Sequence, residues 1–361
     1  MTASGRAGSA CVEAIPGPSQ EWRRAVNSGP TDTARFQELI ATNDVFSAVE
    51  VRAPSRLGPP CADMVTVAFW NAERCKYPVE SAALIEAQQA DVTLLAEMDH
   101  GMARSGNRHT TRELADCTGQ GYLFAVEFIE LDLGDAREKT WHAGQDNQSG
   151  LHGGGMLSPH PLLAPLVVRL EMDGDWFDGR HGERRVGGRI AVAATLETAF
   201  GPLVLASVHF ESHGDPAQRR DQMHRLCAAL DDYAGDAPVV IGGDFNTNTI
   251  DRVHEPTPEE KRAWLAADPE RLANPVSYEP MFETARAFGY DWEACNAHGP
   301  TQRTRPDGTP KPPFVKLDWF FTRGVAAHNP RIVPAVDAAG KAISDHELIR
   351  TEVSPMHGGQ S

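Results

Sequence analysis

Two oxygen-donating side chains follow an apolar strand near residue 240. The segment reads Val239-Val240-Ile241-Gly242-Gly243-Asp244-Phe245-Asn246. Side chains alternate along an extended backbone, so Asp244 and Asn246 point to one side while Phe245 points to the core. The two glycines carry no Cβ, which lets the main chain approach a ligand closely. The sequence therefore predicts a site for a metal ion and a phosphate group at the end of this strand.

Further polar residues stand at the ends of other predicted strands. The apolar runs 65–71 and 92–97 end in Asn71 and Glu97. An α/β scaffold presents its ligands at the carboxyl ends of its strands. Taken singly, Asn71 is also a common turn former, Glu97 a common surface charge and His209 a common structural histidine. Their succession favours one shared site, formed in chain order by Asn71, Glu97, His209, Asp244, Asn246, Asp318, Asp345 and His346.

The elements that must position these residues begin as a strand–helix–strand unit and then become mainly strands. Helices are predicted at Thr33–Ala41, Val79–Gln89, Thr110–Cys117, Gln218–Asp231 and Met281–Phe288. Strands are predicted at Val65–Asn71, Val92–Glu97, Tyr122–Phe128, Gly153–Ser158, Leu162–Leu170, Arg189–Leu196, Leu203–Val208, Val239–Ile241, Leu317–Phe321 and Leu348–Val353, with a weak edge strand at Val45–Val51. Closely spaced strands exclude a purely parallel sheet. The pattern predicts an α/β fold of two packed sheets flanked by helices, with an acidic, proline-containing insertion at Asp251–Ser277.

The order of the motifs resembles that of the endonuclease/exonuclease/phosphatase superfamily, from about Val65 to Val353. The motifs are Trp70-Asn71, Glu97-Met98-Asp99, Gly155-Met156-Leu157-Ser158, Val208-His209-Phe210, Gly243-Asp244-Phe245-Asn246, Leu317-Asp318-Trp319 and Ser344-Asp345-His346. Each is weak alone, but the full set in order is specific. The resemblance implies a four-layer sandwich of two mixed β-sheets flanked by helices. Three further motifs look like a less characterised bacterial branch: Thr111-Arg112-Glu113-Leu114, Val126-Glu127-Phe128 and Gly150-Leu151-His152-Gly153. We expect residues 61–356 to be the catalytic domain and residues 1–60 to be an extension of unknown role.

The resemblance also implies roles for the candidate residues. It makes Glu97 the principal ligand of a divalent metal, and the full candidate metal-ligating set is Asn71, Glu97, Asp244, Asn246, Asp345 and His346. Oxygen donors suit one or two Mg²⁺ or Mn²⁺ ions rather than a structural zinc ion. The candidate catalytic set is His209, Asp244, Asn246, Asp318 and His346. Asp244 is the candidate general base, while His346 contacts the phosphate and is oriented by Asp318, because a buried aspartate needs a partner.

Three more residues are candidates for substrate binding. Glu127 and His152 could line the pocket, although a histidine beside a glycine-rich turn is about as often exposed. Arg189 could clamp a phosphate, although a charged residue on an edge strand serves solubility equally well. We interpret His213 and Arg219, which follow His209, as surface residues. The chain has Gly153–Pro159 where family members carry an asparagine and an arginine, and its three glycines predict an open or mobile wall.

Composition limits the substrate and the cellular location. The 34 basic and 50 acidic residues give a formal charge of −16, which disfavours nucleic-acid binding in the absence of a basic patch. Six cysteines lack the spacing or density of a disulfide framework, so reduced thiols in a cytoplasmic location are expected. No segment has the apolar length of a signal peptide or a membrane span. The oligomeric state is left open.

The sequence therefore predicts a metal-dependent hydrolase, either a phosphatase or a phosphodiesterase. It would cleave a P–O bond of a small organic phosphate, a monoester or a diester, by metal-activated water. Two alternatives are an endonuclease and a sphingomyelinase-like lipid phosphodiesterase. The charge argues against the first, and the polar insertions argue against the second. A non-catalytic binding protein on the same fold is a third alternative, which the complete set of motif residues disfavours.

Overall fold

The computed structural model describes residues 9–55, 57, 61–250, 256–305 and 307–356. Its helices are α1 (Gln20–Ser28), α2 (Thr33–Thr42), α3 (Pro78–Gln88), α4 (Thr110–Thr118), α5 (Ala136–Trp141), α6 (Pro216–Ala234), α7 (Pro258–Ala267) and α8 (Met281–Ala287). Its strands are β1 (Ala10–Val12), β2 (Ala48–Arg52), β3 (Val65–Asn71), β4 (Val92–His100), β5 (Gly121–Glu130), β6 (Leu151–Ser158), β7 (Leu162–Arg169), β8 (Arg185–Gly187), β9 (Ile190–Thr198), β10 (Gly201–His209), β11 (Val239–Asp244), β12 (Gln302–Thr304), β13 (Pro310–Val315), β14 (Asp318–Arg323), β15 (Val325–Val333) and β16 (Leu348–Pro355).

Two large mixed sheets form the centre of the molecule, as the sequence predicts. The nine-stranded sheet has the order β1-β2-β5-β6-β4-β3-β16-β15, with β8 paired to β5. The five-stranded sheet has the order β14-β11-β10-β9-β7. Strands β3 and β4 run parallel, as do β10 and β11, so the parallel pairs that carry the candidate residues lie at the middle of each sheet. A two-stranded hairpin, β12–β13, stands apart.

The two sheets pack face to face, with helices on their outer faces, which gives four layers. One apolar cluster joins Phe69 and Leu94 of the first sheet to Ile241 of the second, and it extends outward to Leu226 on α6. Strand β11 is therefore covered on both faces, which explains its uninterrupted apolar sequence. A second cluster packs α2, α3 and α4 on the outer face of the nine-stranded sheet.

The two sheets are in direct contact beside the candidate site. Ser207 Oγ donates a hydrogen bond across the interface to the carbonyl oxygen of Leu95 at 3.0 Å. A Cβ atom on Gly242 would lie 2.8 Å from Leu94 Cδ1 and 2.7 Å from the Phe320 ring. Because glycine has no Cβ atom, β11 can approach β4 closely at this position. The carboxyl-terminal parts of these two strands therefore lie near each other.

The described residues of the N-terminal extension belong to the nine-stranded sheet. Strand β2 pairs with β5 at one edge, and at its other edge β2 pairs in parallel with β1. Ile15, Val26 and Phe36 are buried in the second apolar cluster. The division of the chain at residue 60 stays a prediction, and residues 1–8, 56 and 58–60 lie outside the described residues. The edge strand predicted at 45–51 forms as β2, but β1 takes the edge.

The other differences from the sequence-based expectation have local causes. The strand β15 was not predicted, because His328, Asn329 and Pro330 interrupt its apolar pattern at the edge of the sheet. The predicted insertion at 251–277 contains α7, which begins with a capping box between Thr257 and Glu260. Its residues 251–255 lie outside the described residues. None of the helices in the described ranges combines the length and the apolar character that crossing a bilayer requires.

Candidate active site

The strand-end residues meet on the floor of one cavity. Its volume is about 820 Å³, and Glu97, His209, Asp244, Asp345 and His346 contribute to its lining. Strands β3, β10 and β11 end here, and β4 has a bulge here. The predicted grouping of these side chains is therefore what the structure has, although their chemical roles remain a proposal.

The buried Asn71 connects two of these carboxylates, Glu97 and Asp244. Its Nδ2 atom lies 3.1 Å from Glu97 Oε1 and 3.0 Å from Asp244 Oδ2. Glu97 reaches this point because the pairing of β4 with β6 shifts register between Leu95 and Met98, and Glu97 itself has φ of 55°. Such a bulge re-aims a side chain. One amide thus joins a carboxylate from each sheet.

Asp318 and His346 form a buried pair on one side of this group. Asp318 Oδ2 lies 2.9 Å from His346 Nδ1, and the other ring nitrogen, Nε2, lies 3.7 Å from Asp244 Oδ2. Burial lowers the pKa of His346, but the negative charges of Asp318 and Asp244 outweigh it and raise that pKa well above its usual value. Burial raises the pKa of Asp318 to about 6, although His346 opposes the shift. The pair can therefore present a protonated imidazole to the cavity.

His209 occupies the opposite side and is surrounded by charge. Its Nε2 atom lies 3.7 Å from Asp244 Oδ2, and its Nδ1 atom lies 3.4 Å from Glu127 Oε2. Arg189 NH1 lies 2.5 Å from Glu127 Oε1 and 3.1 Å from His209 Nδ1. Burial raises the pKa of Glu127, but His209 and Arg189 outweigh it and lower the pKa to about 2. Glu127 and Arg189 therefore hold the imidazole ring in place.

Two of the substrate-binding candidates, Arg189 and His152, are not exposed residues, so the alternative interpretations given for them are wrong. Arg189 is buried, and the strand that it precedes, β9, lies between β7 and β10 rather than at an edge. His152 is also buried, and its Nδ1 atom lies 2.8 Å from Asp99 Oδ1. Both Arg189 and His152 line the cavity, whereas Glu127 does not line it and is connected to it through Arg189 and His209. Whether any of them binds substrate stays a prediction.

The glycine run at 153–155 is not an open wall. It lies in the buried strand β6, between β5 and β4. A Cβ atom on Gly153 would lie 1.9 Å from the carbonyl oxygen of Ala125, and one on Gly155 would lie 2.2 Å from that of Leu123. The glycines therefore permit close strand packing, and the expectation of an open wall was wrong.

Asn246 follows the end of β11 in a left-handed conformation, with φ of 50°. Its backbone N–H donates to Asp244 Oδ1 at 3.0 Å, and its Nδ2 atom donates to the carbonyl oxygen of Phe210. Asparagine tolerates this backbone region better than most residues. The turn fixes the orientation of the Asp244 carboxylate and leaves the Asn246 side-chain oxygen as the atom available to a ligand.

The donor set on the cavity floor fits a divalent cation. Glu97, Asp244 and Asp345 all line the cavity, and burial together with the nearby charge of Glu97 raises the pKa of Asp345. Glu73 accepts a hydrogen bond from the backbone N–H of Asp345 and so fixes the main chain at this residue. Hard oxygen donors with excess negative charge are what Mg²⁺ and Mn²⁺ require.

Arg74 was not predicted from the sequence, yet it forms a salt bridge with Glu97. It lies in the turn after β3 with φ of 67°, and Glu138 holds its Nε atom at 3.2 Å. Burial raises the pKa of Glu97, but the charges of Arg74 and His209 outweigh it and keep that pKa well below its usual value. A cation at Glu97 would therefore share this carboxylate with Arg74.

Gln302 is a second residue that the sequence did not reveal. Its Nε2 atom lies 3.1 Å from both Asp345 Oδ2 and His346 Nε2, and its Oε1 atom accepts a hydrogen bond from Lys311 at 3.0 Å. Gln302 begins the hairpin β12–β13, which is otherwise separate from both sheets. It therefore connects the hairpin to Asp345 and His346, the last two residues of the Ser344-Asp345-His346 motif.

We expect the substitution Gln302→Met to lower kcat by about 10- to 100-fold, with a smaller change in KM, because Asp345 would lose a positioning hydrogen bond. Steady-state kinetics on p-nitrophenyl esters would measure the change. The exposed Gln145→Met is the matched control. A Gln302→Met enzyme with unchanged kcat would show that the amide does not position Asp345 or His346.

Comparison with known proteins agrees with this architecture. The model of the Endonuclease/Exonuclease/phosphatase family matches residues 68–346. No curated protein matched the sequence. Among solved structures, the chain is similar to an endonuclease/exonuclease/phosphatase from Beutenbergia cavernae DSM 12333, with 18% identity, 81% of this chain and 72% of that chain covered, and a TM-score of 0.54. It is also similar to one from Bacteroides vulgatus (15%, 81% and 99% covered, TM-score 0.53). A third similar structure is the human Nocturnin catalytic domain with bound sulfate anion (16%, 81% and 94% covered, TM-score 0.50). At such identities the structural likeness establishes the fold alone.

Proposed function

Since the chain belongs to the Endonuclease/Exonuclease/phosphatase family, we propose that it is a metal-dependent phosphoesterase that hydrolyses a P–O bond of a small organic phosphate. The observation that carries the proposal is the convergence of Glu97, Asp244 and His346 on the floor of a single cavity, where the buried Asn71 is hydrogen-bonded to the first two. Oxygen donors for a cation and a protonated imidazole are the two features that phosphoryl transfer by water requires.

The candidate cation ligands are Glu97, Asn71 and Asp345, with Asp244, Asn246 and His346 around them. A divalent ion bound there would neutralise charge that develops on the phosphoryl oxygens. For Asn71 to contribute its oxygen, the amide would have to turn, because its nitrogen faces Glu97 and Asp244 here. A cation bound to Glu97 and Asp244 would replace the hydrogen bonds that hold the amide in this orientation.

The chain's own residues divide the proton transfers between them. Asp244 accepts a proton from the attacking water while the new P–O bond forms. His346, kept protonated by Asp318, donates a hydrogen bond to a phosphoryl oxygen. His209 donates a proton to the departing oxygen as the original P–O bond breaks. Asp244 lies 3.7 Å from both imidazoles, so the three groups can surround one phosphate.

The shape and the charge of the cavity favour a small substrate. A volume of about 820 Å³ falls within the range of roughly 300–1,000 Å³ that is usual for small-molecule sites. Its outer wall comes from the segment around α7 and from the hairpin β12–β13, which together provide the apolar side chains of Trp264, Leu265, Pro312 and Val315. A formal charge of −16 opposes the approach of a polyanion. The bound sulfate of the similar human Nocturnin domain is consistent with an anion site on this fold.

A substrate panel tests the proposal. It contains p-nitrophenyl phosphate, bis-p-nitrophenyl phosphate, supercoiled plasmid and sphingomyelin, each with Mg²⁺, with Mn²⁺ or with EDTA. We expect release from a small ester that falls by at least about 100-fold in EDTA, because charge on the phosphoryl oxygens would lose its main neutralising group. The ester that reacts faster distinguishes a phosphatase from a phosphodiesterase.

The other possible results of the panel would each contradict a different part of the proposal. Plasmid nicking without turnover of the small esters would replace the proposal with an endonuclease, and hydrolysis of sphingomyelin alone would replace it with a lipid phosphodiesterase. Activity that persists undiminished in EDTA would contradict metal dependence. Inactivity on every substrate, together with no binding of Mn²⁺ by calorimetry, would favour a non-catalytic protein.

A further inference from the structure

Three metal-binding side chains also meet at the end of the nine-stranded sheet that is opposite to the active site. Cys61 precedes β3, Asp91 precedes β4 and His160 follows β6, so all three lie where these strands turn away from the cavity. Asp91 Oδ1 lies 3.3 Å from His160 Nε2 and 4.0 Å from Cys61 Sγ. One ligand atom from each residue lies within 4.8 Å of the other two. These residues are 30 and 69 positions apart in the sequence, so the fold alone brings them together.

We propose that Cys61, Asp91 and His160 form a second metal site, specific for Zn²⁺ or a similarly soft divalent ion and independent of the active site. A thiolate, an imidazole and a carboxylate are the donors that zinc prefers, in contrast to the oxygen donors on the cavity floor. Water would complete a four-coordinate shell.

The two distances from Asp91 are compatible with such a shell. In a tetrahedral zinc site with bond lengths of about 2.0 Å to oxygen and nitrogen and 2.3 Å to sulfur, the oxygen and nitrogen atoms are about 3.3 Å apart and the oxygen and sulfur atoms about 3.5 Å apart. The Asp91–His160 distance already has the first value. The Asp91–Cys61 distance needs a decrease of only about 0.5 Å, which lies within the reach of a Cys side-chain rotation.

The surrounding hydrogen bonds prepare the ligands for an ion. The second carboxylate oxygen of Asp91 accepts a hydrogen bond from the backbone N–H of Thr66 at 2.8 Å, which leaves Oδ1 directed at His160. Ser158 Oγ accepts from the backbone N–H of His160 and donates to the carbonyl oxygen of Asp91. Partners of this kind fix the orientation of metal ligands. A quarter of the Asp91 side chain is exposed, which leaves a route for the ion from solvent.

This group differs from a Glu/His group elsewhere in the described chain, because the carboxylate of that other group is already paired with an arginine. Glu50, His100 and His109 also lie within bonding reach of one ion, but Arg112 NH2 lies 2.7 Å from Glu50 Oε1 and already neutralises it. In the part of the chain that the structure describes, the only ion-pair partner of Asp91 is His160. The carboxylate of Asp91 therefore remains available to a cation. An ion there would join the segment before β3 to the strands β4 and β6.

Cobalt substitution tests the proposal, because Co²⁺ bound to a thiolate shows a charge-transfer absorption that an oxygen site does not produce. The full-length protein, freed of metal with a chelator, is titrated with Co²⁺ and then with Zn²⁺. We expect the thiolate absorption to saturate at about one equivalent and Zn²⁺ to abolish it. The variant Cys61→Ser should lack the absorption, whereas Cys117→Ser, which alters an exposed cysteine, should retain it.

A second variant keeps the test decisive if Cys61→Ser does not fold. His160→Asn retains the thiol, and it should weaken Zn²⁺ binding at the thiolate site by at least about tenfold. Absence of the thiolate absorption in the wild-type protein, or its persistence in Cys61→Ser, would overturn the proposal and leave the three residues as a hydrogen-bonded group. The readout is independent of hydrolysis, so the result does not depend on the proposed function.

Discussion

The substitution Asp244→Asn is expected to lower kcat/KM by about 10²- to 10⁴-fold without unfolding the protein. Asp244 lies 3.7 Å from an imidazole nitrogen of both His209 and His346, and its Oδ2 atom accepts the amide hydrogen bond of Asn71 at 3.0 Å. No other carboxylate has this relation to both imidazoles among the residues that the structure describes. The asparagine keeps the size of the side chain but can no longer accept a proton.

The measurement uses the small ester that the wild-type enzyme hydrolyses in the substrate panel, with the melting temperature recorded for each variant. Asp232→Asn, on an exposed position of α6, is the matched control and should behave as the wild type. If Asp244→Asn retained more than about one tenth of wild-type activity, Asp244 would not be the general base. If Asp244→Asn lost both activity and folding, the activity of Asp244→Ser would be compared with that of the wild type at a temperature at which this variant is folded. That comparison would decide whether Asp244 is the general base.

The strand-end residues could be predicted because their position depends on local sequence. Asn71 and Asp244 each end a continuous apolar run, and a parallel strand must deliver its last residue to the same edge of the sheet as its neighbour. A simple alternation of side chains then places Asp244 toward the cavity. This reasoning uses only the apolar runs, the strand–helix–strand order that implies parallel strands, and the alternation of side chains, all of which can be read from the sequence.

Residues whose position depends on tertiary contacts escaped this reasoning. Gln302 begins a short strand with little apolar character, and only the bridge between Gln302 and His346 brings it to the site. Arg74 reaches Glu97 from a left-handed turn that no local pattern demands. Cys61, Asp91 and His160 come from three separate segments. In each case the useful signal is a contact between distant segments, which composition and spacing do not contain.

Burial was the property that sequence reasoning misjudged most often. Arg189, His152 and Arg219 were each assigned a surface interpretation or alternative, and all three are buried. A charged side chain is normally exposed unless it is paired, and here each has a partner that lies far away in the sequence: Glu211 for Arg189, Asp99 for His152 and Glu279 for Arg219. The burial of such a charged side chain cannot be predicted until the residue that pairs with it is known.

The ion pair between Arg219 and Glu279 leads to the second large prediction. We expect Arg219→Met to lower the free energy of unfolding by about 3–5 kcal/mol, because it leaves a buried carboxylate without its counter-charge. Both side chains are fully buried, and two parallel hydrogen bonds of 2.9 and 2.7 Å join them. Burial raises the pKa of Glu279 although Arg219 opposes the shift, so the carboxylate depends on this partner. Glu279 also accepts a hydrogen bond from the backbone N–H of Thr249, in the segment that follows Asn246.

Urea unfolding followed by circular dichroism would measure the loss. The neighbouring Arg220→Met is the matched control, because Arg220 is exposed and its removal should change stability by less than about 0.5 kcal/mol. The double variant Arg219→Met/Glu279→Leu removes both charges and should recover most of the loss, because an apolar pair of similar volume can replace a buried ion pair. If the double variant were as unstable as Arg219→Met, the cost would come from lost packing between α6 and the Glu279 segment rather than from an uncompensated charge.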